Sequence, residues 1–182
     1  MKDQQIYIFE GPDRCGKTEM ATELAKRLDI PYFKAANEKE NWTAGLLKDS
    51  LWFDYTLPQF LKATKVSCVF DRSYPSEWVY SQVFGRKTNM NMLEKTDKQF
   101  ADLGAKIFIP YRTDYTGYVD DVEEVNGRFG DIHSKYLEFE YWTNCSTMWI
   151  DVTRWNNNLD EEMKILELYT KYKFDGNNNE IL

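Results

Sequence analysis

Residues 11–18, Gly11-Pro12-Asp13-Arg14-Cys15-Gly16-Lys17-Thr18, hold two glycines, a lysine and a hydroxyl at the spacing G-x-x-x-x-G-K-[ST]. Glycines at those places let backbone N–H groups turn inward around an anion with no Cβ in the way. A helix starting at the loop's end adds its positive N-terminal dipole. The chemistry is the cradling of a polyphosphate. Lys17 would reach the β- and γ-phosphates of a nucleoside triphosphate, and the Thr18 hydroxyl would hold Mg²⁺. An accidental match would rarely stand between an apolar run such as Ile6-Tyr7-Ile8-Phe9 and a helical pattern, and here it does.

A second group stands further along. Val66-Ser67-Cys68-Val69-Phe70 is β-branched and aromatic, and it ends on Asp71-Arg72. A carboxylate at the end of a buried strand can order Mg²⁺ or its waters, or take a proton from the attacking group, while a guanidinium fork can hold a phosphate in bidentate fashion. A surface ion pair capping the strand is the plainer alternative, since persistent strand geometry would point Asp71 and Arg72 to opposite faces. Inside the loop, Asp13 beside bound phosphates costs Coulomb energy unless it faces a hydroxyl or a cation, which suits it to a sugar OH of a second substrate. Arg14 can reach the transferring phosphoryl as an arginine finger supplied within the chain.

Smaller candidates follow. Ser76-Glu77-Trp78-Val79-Tyr80-Ser81-Gln82 offers Tyr80 and Gln82 to a base or sugar pocket, though a half-buried amphipathic helix accounts for it nearly as well. Arg112 and Arg128 flank a loop whose closure could bring either over the ATP phosphates or the adenine ring. The single histidine, His133, reads as a satisfied or solvated side chain rather than a base.

The elements that must position these groups alternate along the chain. Strands are expected at Gln5–Glu10, Pro31–Ala35, Val66–Phe70, Lys106–Ile109 (stopping at Pro110) and Thr147–Asp151. Helices are expected at Gly16–Leu28, at about Ser76–Phe84, Met90–Leu103, Gly127–Trp142 and Leu159–Tyr172, and as two pieces broken near Pro58 within Glu38–Thr64. Such alternation implies a parallel sheet with right-handed crossovers. Ligands of such sheets bind beyond the carboxyl ends of strands, where Gly11, Asp71 and Pro110 all begin segments. The aperiodic segment Tyr111–Glu124 reads as a mobile lid, about 111–126, and the Asn-rich tail 175–182 as frayed.

Bulk properties narrow the partners. The chain has 182 residues, enough for one domain, and 42% hydrophobic content is that of a globular chain. Its 23 basic and 30 acidic side chains give a net charge of −7, which repels polyphosphate backbones and makes nucleic acid an unlikely partner. Three cysteines, an odd count without metal-ligand spacing, fit a reduced, cytoplasmic setting, and the polar start offers neither a leader nor a membrane span.

Phe9-Glu10-Gly11-Pro12-Asp13-Arg14-Cys15-Gly16-Lys17-Thr18 resembles the phosphate loop of the thymidylate kinases, in the subtype that carries its catalytic arginine there. That family's second motif is similar to Val69-Phe70-Asp71-Arg72-Ser73-Tyr74-Pro75-Ser76, and its helix after the lid is similar to Phe129, Ile132 and Tyr136 here. The resemblance runs in order from Gln5 to about Glu161. It implies an α/β, three-layer P-loop kinase fold, with a central five-stranded parallel sheet flanked by helices and a lid. By it, ATP and Mg²⁺ are used, the loop Gly11–Thr18 contacts ATP, and Arg14, Lys17 and Asp71 are catalytic; Arg112 joins the ATP contacts from its place beside the lid, not from the resemblance. Thr18 and Asp71 serve the metal. Asp13 binds the acceptor's 3′-OH and Arg72 its α-phosphate, with Tyr80 added to the acceptor pocket from its own helix rather than from the resemblance; Phe53 or Trp52 stacks the base, and core packing beside Leu51 is an equal alternative for both. Small nucleotide substrates and a homodimer built from helix faces are also implied. One departure is that no Arg occurs between Arg27 and Arg72 to read the base edge, which permits a modified or different pyrimidine.

Phosphoryl transfer from MgATP to dTMP or a related deoxynucleoside monophosphate is therefore the expectation. A deoxynucleoside kinase would share the sheet and an acidic-Arg-Ser triplet but needs a general base after its second strand. Glu38 and Glu40 are the candidates there, and neither has a Pro neighbour. A kinase acting on a modified base in DNA conflicts with the net charge, and Lys34, Lys39, Lys48, Lys62 and Lys65 are too scattered to offset it. A GTPase switch would carry Asn-Lys-x-Asp, which is absent, and a dead nucleotide-binding module would not keep Arg14, Lys17, Thr18, Asp71 and Arg72 together.

Overall fold

The apolar run that opens the chain becomes the central strand of a parallel sheet. A computed structural model describes residues 4–34, 47–120 and 122–153, with Met163, Lys164, Leu166, Glu167 and Thr170 of a last helical stretch. In chain order the elements are β1 (Ile6–Phe9), α1 (Lys17–Leu28), β2 (Tyr32–Lys34), α2 (Leu47–Thr64), β3 (Cys68–Asp71) and α3 (Tyr74–Val83). They continue with α4 (Met90–Asp102), β4 (Lys106–Tyr111), a short 3-10 turn at Glu123–Val125, α5 (Phe129–Trp142) and β5 (Ser146–Asp151). The sheet order is β2-β3-β1-β4-β5, parallel throughout. The expectations at Ala35, Glu38–Leu46, most of Leu159–Tyr172 and the tail lie outside the described residues.

Apart from Lys106 at the start of β4 and Asp71 at the end of β3, the inner strands are apolar because both faces are covered. Ile6, Ile8, Cys68, Phe70, Ile107 and Ile109 pack under α2, α3, α4 and α5, while Tyr7, Phe9, Val69 and Phe108 alternate with them and pack under α1, Met163 and Leu166. Three layers result. The crossover from β1 leads to α1 on one face and the turn after β3 leads to α3 on the other, so a crevice opens where their ends diverge. Phe9 pairs with both Asp71 and Phe108, so β1 and β3 end level at its floor while β4 runs on to Tyr111.

Two prolines behave differently from the sequence expectation. Pro58 lies inside α2, which runs unbroken from Leu47 to Thr64. Leu51 and Leu61 are buried on either side of it, and burial worth roughly 2 kcal/mol apiece offsets the ~3 kcal/mol that an interior proline costs. Pro110 does not stop β4, which continues to Tyr111. On one side it pairs with Ile150 of β5, and on the other β1 has already ended, so the N–H that proline lacks has no ladder to join. Pro75 falls in the first turn of α3, where proline is preorganised for a helix, and this helix starts ahead of the expected Ser76.

Pro110 explains Gly11. Gly11 has φ +129°, and a Cβ built on it would stand 2.6 Å from the Pro110 carbonyl oxygen, a backbone atom that cannot yield. Gly11→Ala is expected to lower the unfolding midpoint by the equivalent of about 2–3 kcal/mol, measured by denaturant titration.

The start of α3, which follows Asp71-Arg72, is clamped from behind. The Tyr74 hydroxyl donates to buried Asp97 of α4 (2.7 Å), whose other oxygen accepts from the backbone N–H of Asn144 (2.8 Å). No helix among the described residues is long and apolar enough to cross a membrane. Cys15, Cys68 and Cys145 are free and buried.

Candidate active site

The loop leaving β1 carries Arg14 and Gly16 in the left-handed region, at φ 63° and 72°. Left-handed residues within a turn gather successive N–H groups on one side, the geometry that receives an anion. Lys17 is buried and curls back over this loop, its Nζ donating to the Pro12 carbonyl (2.6 Å) and lying 3.6 Å from Asp13 Oδ1. Thr18, next along α1, donates from Oγ1 to Asp71 Oδ2 at 2.6 Å. The two residues assigned to a metal, 53 apart in the chain, thus meet directly. Their hydroxyl and carboxylate oxygens form a hard donor set at the end of the loop. That set fits Mg²⁺, which takes one or two protein ligands and leaves its other positions to phosphates and water. Tyr32 of β2 donates to the same Asp71 oxygen (3.0 Å), and burial together with the Asp71 charge raises its phenol well above the ordinary value.

Arg72 does not continue the strand. At φ 70° its backbone turns left-handed, so the opposite-face geometry of an extended pair does not apply and its side chain swings under the phosphate loop. Nη2 donates to Asp13 Oδ1 and to the Tyr80 hydroxyl (3.3 Å), and Nη1 to Ser76 Oγ (3.1 Å) and the Gly11 carbonyl (3.4 Å). Tyr80 in turn donates to Asp13 Oδ2 (2.7 Å). Asp13, Arg72 and Tyr80, three residues assigned to the acceptor, therefore form one cluster beside the triphosphate loop. Burial alone would raise the Asp13 carboxyl, but the charges of Arg72 and Lys17 with the Tyr80 and Arg72 hydrogen bonds hold it well below the carboxylate range. It is an anion at any working pH.

The remaining candidates are dispersed. Arg14 is exposed at the loop tip, and its carbonyl accepts from Arg112 Nε (2.9 Å), which brings Arg112 to the loop. Arg112 also donates to the Val152 carbonyl and lies over the Tyr118 ring at 4.9 Å. Cys15 is buried, its Sγ 3.5 Å from the Tyr115 hydroxyl of the lid segment. Arg128 is turned away from the loop, onto Asp131, the Val83 carbonyl and the Phe84 ring. His133 lies between Tyr111 and Trp149, away from every group above. Trp52 and Phe53 are 58% and 63% exposed, so neither is core. The phase of α2, fixed by Leu51, Pro58 and Leu61, turns Asp54 inward instead.

Asp54 and Glu10 were missed by the sequence reading. Glu10 directly follows β1 and is wholly buried, and Asp54 Oδ1 accepts from Ser73 Oγ (3.0 Å), one residue past Arg72. The available signal for Glu10 was an acid extending an apolar strand into a phosphate loop. Asp54 had none, because its orientation depends on helix phase. Burial pushes the Asp54 carboxyl up to about 8, against the Ser73 hydrogen bond and with repulsion from Glu10 and Glu77. A carboxyl raised on folding stabilises below its unfolded value and loses that contribution as pH rises toward 8. Asp54→Asn is therefore expected to leave the melting temperature unchanged at pH 4 and to raise it by about 3 °C above pH 8, measured by thermal melts.

No model of a known protein family matches the chain, and no curated protein matches it in sequence. Solved structures do. The YorR protein of Bacillus subtilis, solved in complex with phosphorylated GDP, superposes with a TM-score of 0.68 at 20% identity over 92% of this chain and 96% of that one. Thymidylate kinase from Ehrlichia chaffeensis gives 0.58 at 15% identity, covering 92% and 99%, and that of Candida albicans gives 0.61 at 14%, covering 92% and 91%. Over nine-tenths of its length, the chain has the α/β P-loop fold of the thymidylate kinase-like nucleotide kinases.

Proposed function

We propose that this chain is an ATP-dependent nucleotide kinase that transfers the γ-phosphoryl of MgATP to the 5′-phosphate of a pyrimidine deoxynucleoside monophosphate, dTMP or a related base. The observation that carries the reading is the adjacency of two built sets. Lys17, Thr18 and Asp71 stand at the phosphate loop, and Asp13, Arg72 and Tyr80 form a cluster immediately beside it. A triphosphate held by the first set and a monophosphate by the second would meet end to end. The acceptor's phosphate oxygen, already ionised at neutral pH, forms the new P–O bond while the bond from the γ-phosphorus to the β-bridging oxygen breaks, and ADP leaves with that electron pair. Positioning and charge neutralisation then supply the rate, with no general base.

Thr18 and Asp71 would hold Mg²⁺, which when bound neutralises charge on the β- and γ-oxygens. Lys17 orients the β- and γ-phosphates, Arg14 stabilises charge on the transferring group, Arg72 draws in the acceptor phosphate, and Asp13 orients the sugar. A guanine acceptor is a second reading, favoured by the phosphorylated GDP bound to YorR and by the lack of an arginine between Arg27 and Arg72. Phe53 or Trp52, both exposed on α2, would stack the acceptor's base, and a cytoplasmic homodimer would be built from helix faces such as the one that exposes Phe60.

The test is ADP release from MgATP with each deoxynucleoside monophosphate, each deoxynucleoside and single-stranded DNA as acceptors in parallel. Turnover with dTMP or another pyrimidine monophosphate is the expected result, and turnover with dGMP alone would establish the second reading. Turnover only with nucleosides or DNA would overturn both.

A further inference from the structure

Glu10 is fully buried yet gathers polar partners from three directions. Its Oε1 accepts from the Ser73 backbone N–H (2.6 Å), and its Oε2 accepts from the Ser76 hydroxyl (2.7 Å) and from the Tyr136 hydroxyl of α5 (2.9 Å). Oε2 also stands 3.8 Å from Arg72 Nη1. Burying a carboxylate this deeply costs free energy that a neutral side chain would avoid, so its presence calls for a task that its charge performs.

The partners indicate the task. Ser73 N–H and Ser76 Oγ belong to the turn and first helical residues that follow Arg72, and Ser76 Oγ also accepts from Arg72 Nη1 (3.1 Å). The left-handed backbone at Arg72, unfavourable for a side chain with a Cβ, is thus pinned just downstream, and the guanidinium is drawn between Glu10 on one side and Asp13 on the other. We propose that Glu10 is a positioning residue for the acceptor: through its charge and its hold on Ser73 and Ser76 it fixes the Arg72 guanidinium where the acceptor's phosphate must arrive. This rests on the kinase reading above. Glu10 itself touches no substrate.

Glu10→Gln separates charge from shape. The amide oxygen keeps the Ser73 N–H, and the amide nitrogen can donate to Ser76 and Tyr136, but Arg72 then faces N–H groups instead of a carboxylate. The acceptor KM is expected to rise about tenfold in this variant, with kcat and the ATP KM within about twofold of wild type. Ser76→Ala, a small change that removes the hydroxyl joining Glu10 to Arg72, is expected to raise the acceptor KM about threefold and guards against a misfolded glutamine variant. The groups facing Glu10 are Arg72, Tyr136, Ser73 and Ser76, with Asp54 close enough to repel it. Burial raises the Glu10 carboxyl to about 7, partly offset by Arg72, Ser76, Ser73 and Tyr136. In wild type, kcat/KM for the acceptor should therefore fall as pH drops through 7, beyond the fall from the acceptor phosphate's own ionisation, and Glu10→Gln should lack that component.

The kinetic arm is run beside NMR of the arginine side-chain N–H groups in the free protein. The Arg72 signals are expected to shift and to exchange faster with water in Glu10→Gln. Unchanged acceptor KM in both variants, or Arg72 signals that ignore the substitution, would overturn the proposal. Absence of turnover by wild type with every monophosphate would mark failure of the kinase reading, and the NMR arm would still decide whether Glu10 holds Arg72.

Discussion

Lys17→Ala is expected to reduce turnover at least ~10³-fold while the protein stays folded. Lys17 is the first residue of α1, where alanine is an excellent helix former, and none of the sheet core is removed by the change. Its ammonium is the buried cation of the loop, directed onto the Pro12 carbonyl and toward Asp13. A triphosphate entering the loop would displace that carbonyl contact and take the charge onto its own oxygens. Without it, the negative charge of Asp13 faces the phosphates with Arg72 left to balance it, so ATP binding should weaken as well. The measurement is steady-state ADP release with circular dichroism melts on the same samples. Turnover within tenfold of wild type in a folded variant would mean that this loop does not hold the transferred phosphate.

The second large effect is at Arg14. Arg14→Ala should lower kcat by about 10³-fold and leave the acceptor KM within about threefold, because an arginine that contacts only the transferring group acts in the transition state rather than in ground-state binding. Stability should change by less than about 0.5 kcal/mol, since the side chain is exposed. The left-handed backbone at Arg14 is as unfavourable for alanine as for arginine, and the contact that the residue gives Arg112 is through its carbonyl. Arg14→Gly would relieve the backbone and is expected to be slightly more stable but equally slow, which separates the side chain's chemistry from the loop's conformation. A near-normal kcat in either variant would leave Arg14 as a loop-tip residue and return the charge stabilisation to Lys17.

The phosphate loop, the strand end at Asp71 and the order of strands and helices were all legible in the residues, because each is a local property. Glycine spacing and apolar runs act over a few positions and need no knowledge of the rest of the chain. The expectations at Pro58 and Pro110 came from equally local rules and were overturned by neighbours: leucines buried on both sides of one proline, and the end of β1 beside the other.

Which side chains meet was another matter. Thr18 and Asp71 touch because β1 and β3 are adjacent in register, and Asp13 reaches Arg72 because a left-handed turn redirects the arginine from its strand. Asp54 carries no local signature and Glu10 only its place between an apolar strand and the phosphate loop, since their surroundings come from α3, α5 and the phase of α2. By itself the sequence determined a phosphate-binding loop on a parallel α/β frame and the residues able to do chemistry there. Only the tertiary structure decided which carboxylates lose their water, which cations face them and which aromatics stay outside, because burial and pairing are set by contacts between segments far apart in the chain.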